Sequence, residues 1–122
     1  MRVGFLGVGF MGRAMARNIP KAVHAMTVFD IRKEAAEELI SMGATWVDSP
    51  MAVAEASEVV FTSFPRPENV EEGTMGEGGI LSGAKSGTVF FDLSTTDPDT
   101  IFRISQAADE KGVTVLYVPV SG

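Results

Sequence analysis

Cysteine and positive charge are what this sequence lacks most clearly. None of its 122 residues is a cysteine, which excludes disulfides, thiolate metal ligands and a cysteine nucleophile. Lys and Arg number 10 against 16 Asp and Glu, so the formal net charge is −6. Binding to nucleic acid irrespective of its sequence needs clustered Lys and Arg, and we therefore expect no nucleic-acid partner.

Long apolar runs and histidine are scarce as well. No run approaches the roughly 18 apolar residues of a membrane helix, and the N-terminus enters a predicted strand without the pattern of a signal peptide. We expect a cytoplasmic protein with no membrane partner. The single histidine, His24, precedes a predicted strand and is expected to lie in a surface loop. The acidic pairs at 37–38 and 71–72 lack metal-ligand spacing, so no metal site is predicted.

The remaining composition is that of one globular domain. Hydrophobic residues make up 45% and charged residues 21% of the chain, a normal balance for a chain long enough to bury a core. Short apolar runs alternate with helix-compatible segments, which is typical of a parallel sheet covered on both faces. The pattern predicts an α/β fold: a Rossmann-type doubly wound, mainly parallel six-stranded sheet of strand order 3-2-1-4-5-6.

Turn and capping residues set the predicted boundaries of the elements. Ser49 and Pro50 have the order of an N-cap and a first helical residue, and Gly43 and Gly112 fit the position after a helix. Several glycines between 68 and 86 predict mostly loop or short helix there. The predicted strands are 2–6, 25–30, 45–47, 58–63, 88–92 and 113–117, and the predicted helices are 11–19, 31 to about 42, 50–56 and a segment from 98 to Gly112.

The opening residues carry the first sign of function. A strand-like run leads into the sequence GVGFMG at residues 7–12, and a helix-compatible segment follows. In that order, G-x-G-x-x-G is a dinucleotide fingerprint. Gly7 allows the tight turn, Gly9 lets the backbone approach a pyrophosphate, and Gly12 allows the helix to pack closely on the strand. The helix N-terminus then offers N–H groups to the phosphates.

Asp30 ends the second predicted strand, 18 positions after Gly12. A dinucleotide fold places an acidic residue about 20 residues on, where it accepts hydrogen bonds from the adenine ribose hydroxyls. Such a carboxylate repels a 2′-phosphate, so we predict NAD as the cofactor and consider NADP the weaker alternative. Arg32 leaves that alternative open, because its guanidinium could reach a 2′-phosphate. Asp30 could also serve as the N-cap of the following helix.

Three segments resemble one family of enzymes. Residues 5–18 resemble the opening of the 3-hydroxyisobutyrate dehydrogenase family, which are β-hydroxyacid dehydrogenases related to 6-phosphogluconate dehydrogenase. Residues 92–98 (DLSTTDP) resemble its D-x-S-T-x-x-P substrate motif, and residues 119–122 (PVSG) resemble the start of P-V-S-G-G. The three segments follow the family's order. The resemblance implies that residues 1–122 are the N-terminal dinucleotide-binding domain of such an oxidoreductase.

The resemblance also implies roles for individual residues. The loop 7–12 would hold the pyrophosphate, Asp30 the adenosine ribose, and Thr95 would contact the nicotinamide half. Ser94, Ser121 and Gly122 would hold the carboxylate or hydroxyl of the substrate. The full set of implied cofactor-binding residues is Gly7, Gly9, Phe10, Met11, Gly12, Asp30, Ile31, Arg32, Phe64, Pro65, Asn69 and Thr95.

No catalytic base is predicted within the chain. The family's catalytic lysine lies on a helix beyond P-V-S-G-G, and Lys85 and Lys111 belong to no matching motif. Tyr117 and Val118 also replace the Asp-Ala that usually precedes P-V-S-G-G. We expect the N-terminal part of an NAD(P)-dependent dehydrogenase for a small β-hydroxy acid or its semialdehyde. Without its helical catalytic domain this part is expected to be inactive, and its oligomeric state, monomer or homo-oligomer, stays open.

Three other interpretations stay open at this point. The chain could be a stand-alone dinucleotide-binding module that performs no catalysis. An FAD-dependent enzyme would share the glycine loop but not the motifs at 92–98 and 119–122. The hydroxyls at 94–96 could be only a capping run for the helix that follows, because hydroxyl residues before Pro98 cap well.

Overall fold

One parallel sheet forms the frame of the molecule. A computed structural model describes residues 2–7, 25–30, 32–41, 43–63, 67–93 and 97–117. Six parallel strands lie in the order β3-β2-β1-β4-β5-β6, which confirms the predicted topology. Each strand agrees with its predicted range to within about one residue at either end. The strands are β1 Arg2–Leu6, β2 Ala25–Phe29, β3 Thr45–Trp46, β4 Val59–Thr62, β5 Val89–Asp92 and β6 Thr114–Tyr117.

The connection from β2 to β3 is helical but starts with a tighter turn than predicted. A 3₁₀ turn covers Lys33–Ala36 and runs into α1, Glu37–Ser41. Gly43 then adopts φ +108°, a conformation that costs glycine little. Its N–H donates to the Ile40 carbonyl at 3.0 Å, so Gly43 ends the helix as predicted. The helix predicted at 11–19 lies outside the described residues.

Two further helices begin at side-chain caps. The helix α2, Pro50–Glu55, starts after Ser49, whose Oγ accepts the Ala52 N–H at 3.1 Å as the Ser-Pro pair predicted. The helix α5, Pro98–Glu110, starts after Asp97. On α5 the buried face comprises Thr100, Ile104 and Ala108, whereas Ile101 is only half-buried.

The glycine-rich stretch between β4 and β5 holds more helix than its composition predicts. It forms α3, Pro67–Met75, and the one-turn α4, Ile80–Gly83. The helix α3 runs through Gly73, although glycine costs a helix interior about 1 kcal/mol relative to alanine. Val70 of α3 is completely buried in the core. Burial of this side chain offsets the poor propensity, which is why the sequence pattern alone underestimated the helix.

The larger core lies between the sheet and helices α2 to α5. Strands β1, β4 and β5 contribute Leu6, Val60 and Phe90, each less than 2% exposed. The helices contribute side chains such as Val53 and Ile104 to the same cluster. The described helices therefore cover this face over β1, β4 and β5, while Phe29 and Val115 beside them are half-buried.

The opposite face of the sheet is covered over β1 and β2, where the 3₁₀ turn and α1 pack on residues such as Phe5 and Val28. Across β4 to β6 the side chains on this face are half-buried or exposed. The rings of Phe5, Phe61 and Phe91 stack in a row with centroids 5.2 and 5.1 Å apart, and Leu116, next in register, is 44% exposed. We call this region the open face: Val59, Phe61, Val89, Phe91, Thr114 and Leu116.

Candidate functional site

The carboxyl ends of the strands meet at one edge of the sheet, because all six strands are parallel. The strand order reverses direction between β1 and β4, and ligands of such sheets bind in the crevice at that point. Gly7 comes directly after β1 with φ 74°. Its N–H donates to the Phe29 carbonyl at the end of β2, at 3.1 Å. The first glycine of the fingerprint therefore has the left-handed conformation that its predicted turn requires.

Asp30 lies one residue beyond β2, at the same edge, and is half-buried. Its Oδ1 accepts the N–H of Arg32 at 3.0 Å. The N-cap residue of the following 3₁₀ turn is Arg32, without a side-chain cap bond, so Asp30 shapes the turn but is not its N-cap. A carboxylate offers about four acceptor positions, and one amide bond leaves room for two ribose hydroxyls. The ribose-binding role of Asp30 stays a prediction.

Arg32 is the other described residue of the predicted adenosine site. It is exposed and has an extended backbone, with φ −107° and ψ 108°. Asn69 is the third residue of α3, a helix that begins near the carboxyl end of β4. Its role, like that of Arg32, stays a prediction. The remaining predicted residues lie outside the described part of the chain: Gly9, Phe10, Met11, Gly12, Ile31, Phe64, Pro65, Ser94, Thr95, Ser121 and Gly122.

A buried polar pair at this edge was not among the predicted site residues. Thr62 ends β4 and Asp92 ends β5, and the two are register partners. The Thr62 hydroxyl donates to Asp92 Oδ1 at 3.1 Å, with only 0% and 3% of the two residues exposed. A signal was available, because Asp92 opens the D-x-S-T-x-x-P motif and follows the wholly apolar Val-Phe-Phe run. A carboxylate at the end of a buried strand is unusual enough to be noticed.

Asp97 decides how α5 begins. Its carboxylate accepts the Thr100 N–H at 2.8 Å and the Thr100 hydroxyl at 3.2 Å. These hydrogen bonds, the backbone one first, lower the pKa of Asp97. Because the N-cap is an aspartate, the hydroxyls of Ser94, Thr95 and Thr96 are not needed to explain the start of the helix. The capping interpretation of residues 94–96 therefore loses its main support.

An ion pair between charged side chains also links helices α3 and α5. Arg103 of α5 donates to Glu71 Oε2 of α3 at 2.8 Å, which raises the pKa of Arg103. Within the described ranges, no three His, Asp or Glu side chains are grouped as metal ligands. The same ranges contain no helix long and apolar enough to cross a membrane.

A parallel sheet in this order, with a left-handed glycine after β1 and a carboxylate after β2, defines a dinucleotide-binding α/β domain. Comparison with known proteins makes the assignment more specific. The sequence profile described as the NAD binding domain of 6-phosphogluconate dehydrogenase matches residues 2–122. The chain belongs to this family of NAD-binding domains.

Individual relatives agree with the family. The 2-(hydroxymethyl)glutarate dehydrogenase of Eubacterium barkeri is 36% identical over 100% of this chain and 40% of its own length. A structure of Mycobacterium tuberculosis 3-hydroxyisobutyrate dehydrogenase with L-serine matches with TM-score 0.87 and 30% identity, over 99% of this chain and 40% of its own. A structure of Psf3 in complex with NADP⁺ and 2-OPP matches with TM-score 0.88 and 31% identity, over 98% and 43%. The chain thus spans about two fifths of the length of these relatives.

Proposed function

We propose that this chain is the nucleotide-binding part of an NAD-dependent dehydrogenase that acts on a small β-hydroxy acid or the corresponding semialdehyde. The observation that carries the proposal is the family match over residues 2–122. Gly7 and Asp30, at the carboxyl ends of the neighbouring strands β1 and β2, support it. Two of the relatives are dehydrogenases named for small hydroxy acids, 2-(hydroxymethyl)glutarate and 3-hydroxyisobutyrate.

Different residues at the carboxyl edge of the sheet would bind different parts of the cofactor. Asp30 would accept hydrogen bonds from the hydroxyls of the adenine ribose, and residues 7–12 would present backbone N–H groups to the pyrophosphate. Phe64, Pro65, Asn69 and Thr95 would line the remainder of the cleft. When bound, NAD supplies the hydride acceptor or, when reduced, the hydride donor. The task of the protein is to hold and orient the reacting groups.

Hydroxyl and backbone groups would orient the substrate. Ser94, Ser121 and Gly122 would hold its carboxylate or hydroxyl near the cofactor. Transfer of a hydride from an alcohol carbon also needs an acceptor for the hydroxyl proton. Neither Lys85, which is exposed, nor Lys111, whose Nζ donates to the Leu81 carbonyl at 2.6 Å, suits that task. We propose that the proton acceptor belongs to a further, helical domain of a longer enzyme.

Two observations support a longer enzyme. The chain spans about two fifths of its relatives, whose remaining length has no counterpart in these 122 residues. The open face also leaves an aromatic row and Leu116 partly accessible to water, as is usual for a surface that packs on another part of a protein. We further propose a cytoplasmic enzyme without a nucleic-acid partner, and leave homo-oligomers to be tested by light scattering.

Selection of NAD by Asp30 can be tested by titrating the chain with NADH and NADPH and following the fluorescence of Trp46, its single tryptophan. We expect NADH to bind more tightly, because the carboxylate repels a 2′-phosphate. Asp30→Ala should weaken NADH binding, and Arg32→Ala should weaken only the residual binding of NADPH. Equal or reversed affinities in the wild-type chain would refute the assignment of NAD.

The missing proton acceptor can be tested by a turnover assay. The chain alone should not reduce NAD with 3-hydroxyisobutyrate, glycerate or 4-hydroxybutyrate, even at saturating cofactor. Activity with any of these would mean that one of the 122 residues serves as the base. The longer enzyme, assayed in parallel, should turn over at least one of them.

A further inference from the structure

The buried pair Thr62–Asp92 has no explanation in the binding roles given above. Asp92 is a carboxylate with 3% of its surface exposed, and its partner Thr62 is completely buried. A buried hydrogen bond between two side chains adds little net stability, and replacing both partners by apolar groups of the same shape can be nearly neutral or stabilising. Stability alone therefore does not account for this pair. Positions that break a local rule in this way are often functional ones.

The pair lies where two chain segments leave the sheet. Leu6, Thr62 and Asp92 are register partners at the last residues of β1, β4 and β5. The segments that follow Thr62 and Asp92 contain Phe64 and Pro65 on one side and Ser94 and Thr95 on the other. Under the proposed function, both segments contact the nicotinamide half of the cofactor or the substrate.

Backbone and side chain together tie the two strand ends. The Leu93 N–H donates to the Thr62 carbonyl at 2.8 Å. The Thr62 hydroxyl donates to Asp92 Oδ1 at 3.1 Å. Thr62 is thus bonded to two successive residues of the neighbouring segment, once through its carbonyl and once through its side chain. The backbone bond continues the ladder, whereas the side-chain bond adds a restraint that an apolar residue could not make.

We propose that Thr62 and Asp92 are positioning residues that hold the segments after β4 and β5 at the spacing required by the nicotinamide half of the cofactor. This inference rests on the proposed function. Asp30, which is assigned the adenosine half, lies after β2, and β1 separates β2 from β4. Loss of the Thr62–Asp92 bond should therefore weaken contacts to one half of the cofactor and spare the other.

The test compares two ligands in binding titrations: NADH, which occupies both halves of the site, and ADP, which reaches only the adenosine half. Thr62→Val keeps the shape of the side chain but removes the donor. We expect it to raise the Kd of NADH severalfold, up to the roughly tenfold that full loss of one hydrogen bond would give, and to leave the Kd of ADP unchanged within about twofold. Thr62→Ser, which retains the hydroxyl, should restore NADH binding.

Matched controls separate positioning from general destabilisation. Thr88→Val makes the same change at another buried threonine, just before β5 at the amino edge of the sheet, and should alter neither Kd. Asp92→Asn keeps an oxygen that can accept the Thr62 hydroxyl and should fall between wild type and Thr62→Val. It also serves as the informative variant if Thr62→Val fails to fold. Each titration is done at a temperature where circular dichroism shows the variant to be fully folded.

The titrations distinguish failure of the positioning role from failure of the proposed function. Wild-type affinity of Thr62→Val for NADH would overturn the proposal, as would an equal loss for NADH and ADP, which indicates only a destabilised domain. A wild-type chain that binds ADP but gains nothing from the nicotinamide half would overturn it too. A wild-type chain that binds neither ligand would instead refute the proposed function, so the two failures are distinguishable.

Discussion

Two buried threonines in neighbouring helices differ in whether the side-chain hydroxyl is hydrogen-bonded, and this difference should be measurable in the stability of the chain. Thr74 of α3 is completely buried, and its hydroxyl has no hydrogen-bond partner in the described structure. Thr100 of α5 is 2% exposed, and its hydroxyl donates to the carboxylate of Asp97 at 3.2 Å. A buried hydroxyl without a hydrogen-bond partner pays the free-energy cost of desolvation without compensation. A hydrogen bond to a buried hydroxyl offsets most of that cost.

Replacement of these hydroxyls by a methyl group should therefore have opposite effects. Thr74→Val should stabilise the chain by about 1 kcal/mol, because it removes an unsatisfied polar group at constant shape. Thr100→Val, the matched control, should destabilise it. Both are measured by urea unfolding at neutral pH. A loss of stability in Thr74→Val would show that its hydroxyl does have a partner.

At the scale of elements, α2 and α5 each begin at one capping side chain. Ser49 caps α2 with a hydroxyl that does not titrate, and Asp97 caps α5 with a carboxylate that does. The pKa of Asp97 is lowered in the folded chain, mainly by the hydrogen bond from the Thr100 N–H. The charged cap therefore stabilises the fold above the unfolded pKa of about 3.9, and this contribution is lost as the pH falls through the folded value.

The pH dependence of unfolding should distinguish the two caps. Asp97→Asn keeps a good N-cap but cannot ionise, so the wild-type chain should be more stable at pH 7. That difference should shrink as the pH falls below about 4. Ser49→Ala should instead lose about 1 kcal/mol at every pH. A constant difference between Asp97→Asn and wild type from pH 7 to pH 3 would contradict the lowered pKa.

At the scale of the whole molecule, the two faces of the sheet are covered to different extents. Adjacent residues of β5 point to opposite faces of the sheet, so their exposed fractions compare the two faces. Phe90 is 0% exposed between the sheet and helices α2 to α5. Phe91 lies on the open face, where it stacks on Phe61 with ring centroids 5.1 Å apart and remains half-buried.

Truncation of the two rings should therefore have unequal costs. Phe90→Ala should destabilise the chain by about 3–5 kcal/mol, as expected for a buried aromatic side chain. Phe91→Ala should cost less than half as much, since water already reaches part of its surface. Denaturant unfolding of both variants checks this. Equal losses would mean that the open face is covered in solution, and sedimentation would then show whether a second copy covers it.

Sequence patterns predicted most of the frame because they report on local requirements. The apolar runs marked all six strands, and Ser49, Pro50 and Gly43 marked helix ends, because a cap or a left-handed turn needs particular residues regardless of distant contacts. The helix α3 was underestimated for the opposite reason. Its Gly73 disfavours a helix locally, and only the burial of Val70 in the core overrides that preference.

In the candidate site too, the residues that follow a local pattern were predictable and those that depend on distant contacts were not. Gly7 and Asp30 were predictable as candidates because the fingerprint prescribes their spacing. The structure gives Gly7 the left-handed turn conformation and places Asp30 at the same edge of the sheet, and their roles toward a nucleotide stay predictions. The sequence marked Asp92 as the first residue of a motif and as a carboxylate after an apolar run, but it did not indicate a partner. Its partner Thr62 is 30 positions earlier in the chain, and no local pattern connects residues so far apart.

By itself the sequence determined the alternation of elements, the helix caps and the dinucleotide fingerprint, because each rests on the conformational preference or spacing of nearby residues. The strand order was predictable only through the known fold that this alternation and fingerprint indicate. Only the tertiary structure decided which residues share a face or a hydrogen bond. It paired Thr62 with Asp92 at the carboxyl edge and brought α2 so close to Gly4 that a Cβ there would lie 2.5 Å from Val53 Cγ1. These contacts join distant parts of the chain, so packing of the whole molecule, not local preference, determines them.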